Sequence, residues 1–465
     1  MNLYQYTAVT ALLVTPALSW GADDTVDSLK RQIQELDQKV RVLERKAELD
    51  NETTQTKSQD SPRLTAGADG FSFSSADTNF VLKLRGYVQT DARFYFGDNI
   101  PANDTLLMRR VRPIIEGTVY KYYDYRIMLD FASGITSSAS NDGFLQDAYL
   151  NVHYWPQFQI QVGKFKPPVG LERLQSGANL LFAERGYPTQ LVPNRDVGVQ
   201  LHGQILDGVF AYQVGVFNGV QDGGSGDSDV GSDDHKDVAG RIFFQPFKKS
   251  NVKPLKGLGV GVAGTWGNQA GTLPGYKTPG QQTFFSYVTG AGTNANVTAD
   301  GRHWRIVPQA YYYWGPFGIF GEYALSSQNV RRDAGGGAPS FRDAHNRAWE
   351  VSGSWFLTGE QNSFSPVKPA HPLSFANHDW GAVELAARYG ELSVDQDLFG
   401  SPAFATSSSA HKAKSWGVGI NWYLNRNIKL TLDYDQTAFD GGSTAPRQVT
   451  AQDEKVIITR VQFSF

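Results

Sequence analysis

The stretch LKLRGYVQTDARFYF, Leu82 to Phe96, decides the architecture. Leu82, Leu84, Val88, Ala92, Phe94 and Phe96 fall on one face of an extended chain, and Lys83, Arg85, Gln89, Asp91 and Arg93 on the other, because successive side chains of a strand point to opposite faces. One face calls for an apolar surrounding and the other for water. The same division returns with Tyr125, Ile127, Leu129 and Phe131 against Asp124, Arg126, Met128 and Asp130. It recurs in Trp416, Val418, Ile420, Trp422 and Leu424, and again in Ile428, Leu430, Leu432 and Tyr434. A soluble sandwich produces such patterns singly. The rhythm of the connections goes further, since about sixteen segments are joined alternately by tight and long links, as in outer-membrane barrels. Tight links fall near Lys121-Tyr122, Pro156, Asp207-Gly208, Gly315-Pro316 and Asn425 to Asn427, and long ones at 133–143, 164–194, 218–235, 267–301 and 394–409. Residues 358–379 form a long connection where a tight one is due, so either a strand is miscounted or that side carries an excursion.

Hydrocarbon offers no partner to an unpaired backbone amide, so a sheet that crosses a membrane must close. The expected fold is therefore all-β, a 16-stranded antiparallel transmembrane β-barrel over residues 71–465 with a short N-terminal coiled-coil helix. The chain ends in a strand, Lys455 to Phe465, whose Ile457, Val461, Phe463 and Phe465 share a face.

Composition narrows the alternatives. The 465 residues include 48 glycines and 13% aromatics, carry a net charge of −3 and contain no cysteine, which removes disulfides and Cys-ligated zinc. A nucleic-acid partner would call for a strongly basic face, so none is expected. Residues 1–21 read as a signal peptide, with an apolar run from Ala8 to Leu18 followed by small residues, though without a basic n-region. No later apolar run is long enough to cross a bilayer as a helix. Residues 22–50 read as a periplasmic coiled-coil helix. Val26, Leu29, Ile33, Leu36, Val40, Leu43 and Ala47 form its a/d seam, with Lys39 and Lys46 at g and Asp37 and Glu44 at e. A parallel oligomer follows, of two or three strands; a helix laid on another domain would show the same stripe. The polar residues 51–70 are expected to be a linker.

Two stretches carry a resemblance to a known family: GKFKPPVGLERLQS (Gly163–Ser176) and FAERGYPTQLVPNRDVGVQLHG (Phe182–Gly203). With LRGYVQTDARF, LMRRVRPIIEG, LQDAYLN and PGQQTFFSY, they resemble the phosphate-selective porin O/P family across essentially the whole barrel. The resemblance implies a homotrimer of sixteen-stranded barrels in the outer-membrane lipid, each with its own anion pore narrowed by inward-folded loops. It also implies an arginine ladder at Arg85, Arg109, Arg110 and Arg185, with Asp147 at an acidic partner position. The fifth long loop carries only Lys277 near its matching stretch.

The residues themselves point to the same constriction. The third long loop and its flank hold Lys164, Lys166, Arg173, Arg185 and Arg195 against Glu172 and Glu184. Rings of Arg and Lys select anions, and guanidinium donates two parallel hydrogen bonds to phosphate. Water-facing Arg85, Arg93, Arg110 and Arg112 extend that lining onto the wall. The competing reading is that wall arginines pair with Asp91, Glu116, Asp124, Asp130 and Asp147 to stiffen the lumen. No His-Glu-x-x-His, Gly-x-Ser-x-Gly or P-loop is present, so neither an enzyme nor a cofactor is expected. Tyr311 to Trp314 and Tyr120 to Tyr123 abut tight turns, where interfacial aromatic girdles belong; a sugar slide is the other reading. The expected function is passive diffusion of small inorganic anions, phosphate or phosphorylated solutes. An envelope-tethering coiled-coil protein and a saccharide channel are the alternatives.

Overall fold

The computed structural model describes residues 22–97, 102–132, 144–226, 234–290, 295–333, 337–441 and 453–465; the expected signal peptide and the loop 133–143 lie outside them. The chain divides into two units after Pro62.

The first unit is helix α1 (Ala22–Asp60), of 39 residues. It overruns the expected end at residue 50, so the expected linker 51–70 is mostly regular structure. The stretch Asn51–Asp60 is polar but holds neither glycine nor proline, so the helix meets no breaker until Pro62, which disfavours helical geometry in the residue before it. Pairs Glu35–Lys39 at 2.9 Å and Asp37–Arg41 at 3.0 Å brace the exposed surface. Leu29, Ile33, Leu36, Val40 and Leu43 are all exposed in the single chain.

The second unit opens with a hairpin, β1 (Arg63–Gly67) and β2 (Gly70–Ser74), eight residues ahead of the expected start of the barrel. The wall begins with β3 (Phe80–Phe96), β4 (Thr105–Val119), β5 (Tyr123–Leu129) and β6 (Leu145–Trp155). It continues through β7 (Phe158–Phe165), β8 (Asp196–Ile205), β9 (Phe210–Phe217), β10 (Asp237–Phe244) and β11 (Leu258–Gly271). A small hairpin, β12 (Tyr276–Lys277) and β13 (Thr283–Phe285), interrupts the wall inside a loop. The remaining strands are β14 (Val297–Trp314), β15 (Phe317–Arg332), β16 (Ser340–Phe356) and β17 (Ala382–Ser393), then β18 (Lys412–Tyr423), β19 (Ile428–Asp440) and β20 (Glu454–Ser464).

Each wall strand pairs antiparallel with the next, and β20 returns to β3 from Lys455↔Phe96 to Ser464↔Tyr87. The sheet has 18 strands in all; without β1 and β2, sixteen close the barrel. Closure matters because it leaves no lipid-exposed edge. The seam is locked by reciprocal 3.0 Å backbone bonds between Gly86 and Phe465. β2 then covers the rest of the β3 edge, from Phe71↔Leu84 to Ser74↔Val81.

Burial is inverted relative to a soluble protein. On β17, Glu384 and Arg388 are buried while Tyr389 is exposed; on β18 and β19, Val418, Ile420 and Leu432 are exposed while Asn421, Asp433 and Asp435 are buried. An apolar outside and polar inside is the mark of a wall facing lipid. Among the described residues no helix is long and apolar enough to cross a membrane.

The long connection after β16 is an excursion and not a lost strand, since β16 pairs directly with β17 from Arg347↔Ser393 to Phe356↔Glu384. Asn362 anchors it through its backbone N–H to Gly315 O at 2.7 Å and its side chain to Ser354 Oγ at 2.7 Å. Phe364 stacks on Tyr311 with ring centroids 5.5 Å apart. Tyr311 also packs against Phe243 and Tyr313, so Tyr311 and Tyr313 face the lumen rather than belonging to the expected interfacial girdle. The bilayer-facing reading suits their neighbours Tyr312 and Trp314, which have the opposite strand parity.

On the loop side, the lumen is filled by an apolar cluster drawn from three loops and the wall. Val169, Tyr187 and Leu191 meet Tyr276, Phe284 and Phe285, together with Leu398 and Phe404, against Phe165, Phe217 and Val307 of the wall.

Candidate functional site

The third long loop, between β7 and β8, starts with a single helical turn, α2 (Leu171–Leu174). From Gly177 to Glu184 it lies as a strap along the inner wall of β3 and β17–β20. Wall side chains donate to its carbonyls: Gln89 to Gly177 at 2.9 Å, Gln462 to Ala178 at 3.0 Å, Lys429 to Leu180 at 2.7 Å and Asn421 to Leu181 at 2.8 Å. Arg460 donates to Ala183 O, and Arg388 to Glu184 O at 2.7 Å. In the other direction, the Ala183 N–H donates to Asp433 at 2.6 Å. The start of the loop is clamped by Glu322, which accepts from the Leu171 N–H at 2.7 Å and the Glu172 N–H at 3.2 Å. A loop buried this deeply must satisfy its backbone somewhere, and inward-facing wall side chains do so.

Glu184 is the hub of the strap. Its carboxylate lies 3.1 Å from Arg93 Nη2, 2.9 Å from Arg109 Nη2, 3.9 Å from Arg110 Nη2 and 3.4 Å from Arg460 Nη2. Arg460 is held in turn by both oxygens of Asp91, at 2.6 and 2.7 Å. Two consecutive arginines of β4 reach one carboxylate because of a bulge: Gln89 pairs with Arg110 and Thr90 with Met108, leaving Arg109 unpaired. A bulge re-aims a side chain that strand alternation would send outward. Three sequence-derived pore candidates, Arg93, Arg109 and Arg110, are thus gathered on a carboxylate, together with Arg460, which the sequence reading missed.

A second network lines β4 to β8. Arg112 donates to Asp130 at 2.7 Å, Tyr87 at 2.9 Å and Gln146 at 3.2 Å. Asp147 accepts from Arg195 at 2.8 Å and lies 3.3 Å from Arg126. Arg126 and Arg85 share Glu116, at 2.7 and 2.8 Å. Lys164 is buried on β7, where it pairs in register with Ala148.

Lys166, Arg173 and Arg185 differ from all of these. Lys166 Nζ donates to Gln175 O at 2.7 Å and Leu174 O at 3.4 Å, and Arg185 donates to Gln175 O at 2.7 Å and Glu172 O at 3.3 Å. Arg173 donates to Asn194 at 3.2 Å and to Thr189 O. Among the described residues no carboxylate lies within 4.0 Å of these cations. Carbonyl dipoles orient a cation but leave its charge uncancelled. Burial, reinforced by Arg185 and Arg195, accordingly pushes the Lys166 ammonium well below its usual range.

Toward the turns the lumen opens into a cavity of about 540 Å³ lined by Arg85, Arg126, Lys368, Arg426 and Lys429, with Asp69 as the opposing acid. Lys368 comes from the excursion after β16. Toward the loops, Arg305 and His303 bind Asp222 at 2.8 and 3.2 Å. Ser326 donates to Asp222 at 2.8 Å, and Tyr276 of the small hairpin donates to it at 3.2 Å. The sequence reading missed Arg305, Arg388, Lys429 and Arg460. Their inward strand parity was a usable signal; their partners across the lumen were not visible.

A closed barrel, apolar outside and narrowed within by a cation-bearing loop, is a membrane pore. The family model for phosphate-selective porin O and P matches residues 82–465, and the chain belongs to that family. It is an anion-selective porin of the outer membrane. The chain is 24% identical over 439 residues to Porin O of Pseudomonas aeruginosa, covering 86% of this chain and 94% of that one. The outer-membrane channel DcaP of Acinetobacter baumannii matches in fold with a TM-score of 0.51 at 13% identity, covering 86% of this chain and 100% of that one.

Proposed function

We propose that the pore passes small oxyanions, with phosphate preferred, and that Arg173 and Arg185 are the cations that meet them, joined by Lys166 once an arriving anion offsets the burial that disfavours its charge. The observation that carries this reading is that these three are oriented by carbonyls while Arg93, Arg109 and Arg110 are paired with Glu184. Arg112, Arg195 and Asp147 then form a braced wall opposite, and Lys164 supports it from β7. On the turn side Arg85 and Arg126 are held by Glu116, so Lys368, which lines the same cavity without an ion pair among the described residues, receives the anion. The family's description, phosphate-selective, supports the choice of anion.

The orientation that fits this reading puts the long loops outside the cell and the turns in the periplasm. Helix α1 then lies in the periplasm, and its exposed seam pairs with the same seam in two further copies, giving a trimer of barrels. Purified protein in a planar bilayer under a potassium chloride gradient tests the pore. A chloride-selective reversal potential, with current blocked by added phosphate, is expected. A chloride preference without phosphate block would remove the phosphate assignment.

A further inference from the structure

The peptide units of the strap have a fixed polarity. In a trans peptide the carbonyl of one residue and the N–H of the next point in opposite directions. Four carbonyls are turned onto the wall: Leu180 onto Lys429, Leu181 onto Asn421, Ala183 onto Arg460 and Glu184 onto Arg388. The N–H groups of Leu181, Phe182, Glu184 and Arg185 therefore point away from the wall. None of these four N–H groups finds an acceptor among the described residues. The intervening N–H, of Ala183, belongs to the peptide whose carbonyl, Phe182 O, the wall does not hold, and it donates to Asp433 on the wall at 2.6 Å. The pattern thus runs consistently through the strap.

Peptide N–H groups withdrawn from bulk solvent require a partner, and successive N–H groups aimed into one space attract anions without carrying a formal charge. We propose that the N–H groups of Leu181, Phe182, Glu184 and Arg185 form a neutral donor rail that binds the oxygens of a passing oxyanion beside the Arg185 guanidinium. This rests on the anion-passage reading above and adds a second type of contact to it. A guanidinium attracts any anion, whereas a row of fixed N–H donors rewards an anion that offers several acceptor oxygens. Wall residues Lys429, Asn421, Arg460 and Arg388 act here as positioning residues, because turning each carbonyl outward turns the next N–H inward.

The test deletes one donor. Leu181→Pro removes an N–H, and the phosphate concentration that halves the chloride current should rise about tenfold, the scale of one hydrogen bond to a charged acceptor. Should that chain fail to assemble, phenyllactate in place of Phe182, introduced by cell-free synthesis, replaces one N–H by an ester oxygen and keeps the ring stacked on Arg388 at 4.2 Å; the same rise is expected. An unchanged half-blocking concentration in an assembled variant overturns the rail. Wild-type protein that prefers chloride but is not blocked by phosphate overturns the rail and leaves anion passage standing. Wild-type protein without anion preference overturns both.

Discussion

Two sets of arginines and lysines share the interior of this barrel, and they differ in what holds them. Against β3, β4 and β20, Arg93, Arg109, Arg110 and Arg460 converge on Glu184. Across the strap, Lys166, Arg173 and Arg185 rest on carbonyl oxygens. The first arrangement spends positive charge on fastening the loop, and the second leaves it free to act on a solute. Residue type and inward direction are the same in both, so the counter-charge, and not the arginine, separates framework from pore.

The contrast is broken most forcibly at its hub. Glu184→Gln leaves four neighbouring guanidinium groups with one fewer negative charge in a buried site, and removing one partner of such a cluster costs about 3–5 kcal/mol. The expected result is a lower unfolding temperature and, in barrels that still assemble, a larger and noisier single-channel conductance as the strap loosens. Thermal melting together with bilayer recording checks both. A variant that melts and conducts like the wild type would show that the backbone bonds hold the strap without Glu184.

The next largest effect separates the two sets directly. Arg185→Gln should raise the half-blocking phosphate concentration by about tenfold to a hundredfold, the worth of hydrogen bonds to a charged partner. Its hydrogen bonds to Gln175 O and Glu172 O are lost as well, so a stability cost of about 1–3 kcal/mol accompanies the weaker block. Arg110→Gln should cost a similar amount of stability but leave block nearly unchanged. Its guanidinium donates to Gln89 at 2.7 Å and stands 3.9 Å from Glu184, so its loss should cost about 1–3 kcal/mol of stability and shift phosphate block less than twofold. If Arg110→Gln weakened block as much as Arg185→Gln, the division into framework and pore would fail.

The difference between the sets also marks how far the sequence could be read. Strand alternation is local, so β3, β5, β18 and β19 stand out from single stretches, and the alternation of short and long links reveals closure. The strap has no period, since its residues answer to partners hundreds of positions away: Leu181 is held by Asn421 and Ala183 by Asp433. Arg109 was legible as a basic residue, but the bulge that turns it inward depends on the register with β3. Tyr311 and Tyr313 face inward by parity; proximity to a turn suggested a girdle, and parity decided the matter. The stretch 51–60 looked like a linker because it is polar, whereas helix termination requires a breaker such as Pro62.

The smallest effect on conduction is expected from the other unit of the chain. If α1 serves assembly alone, deleting residues 22–60 should leave single-channel current and phosphate block unchanged within error. Replacing Leu36 by Asp should have the same outcome for current, while placing a charge in the a/d seam where each copy would meet its neighbours. The isolated helix peptide should therefore sediment as a trimer with Leu36 and as a monomer with L36D. A seam that stays monomeric with Leu36 would assign trimer formation to the barrel wall. A current that changed on deletion would mean that the helix contributes to conduction as well as to assembly.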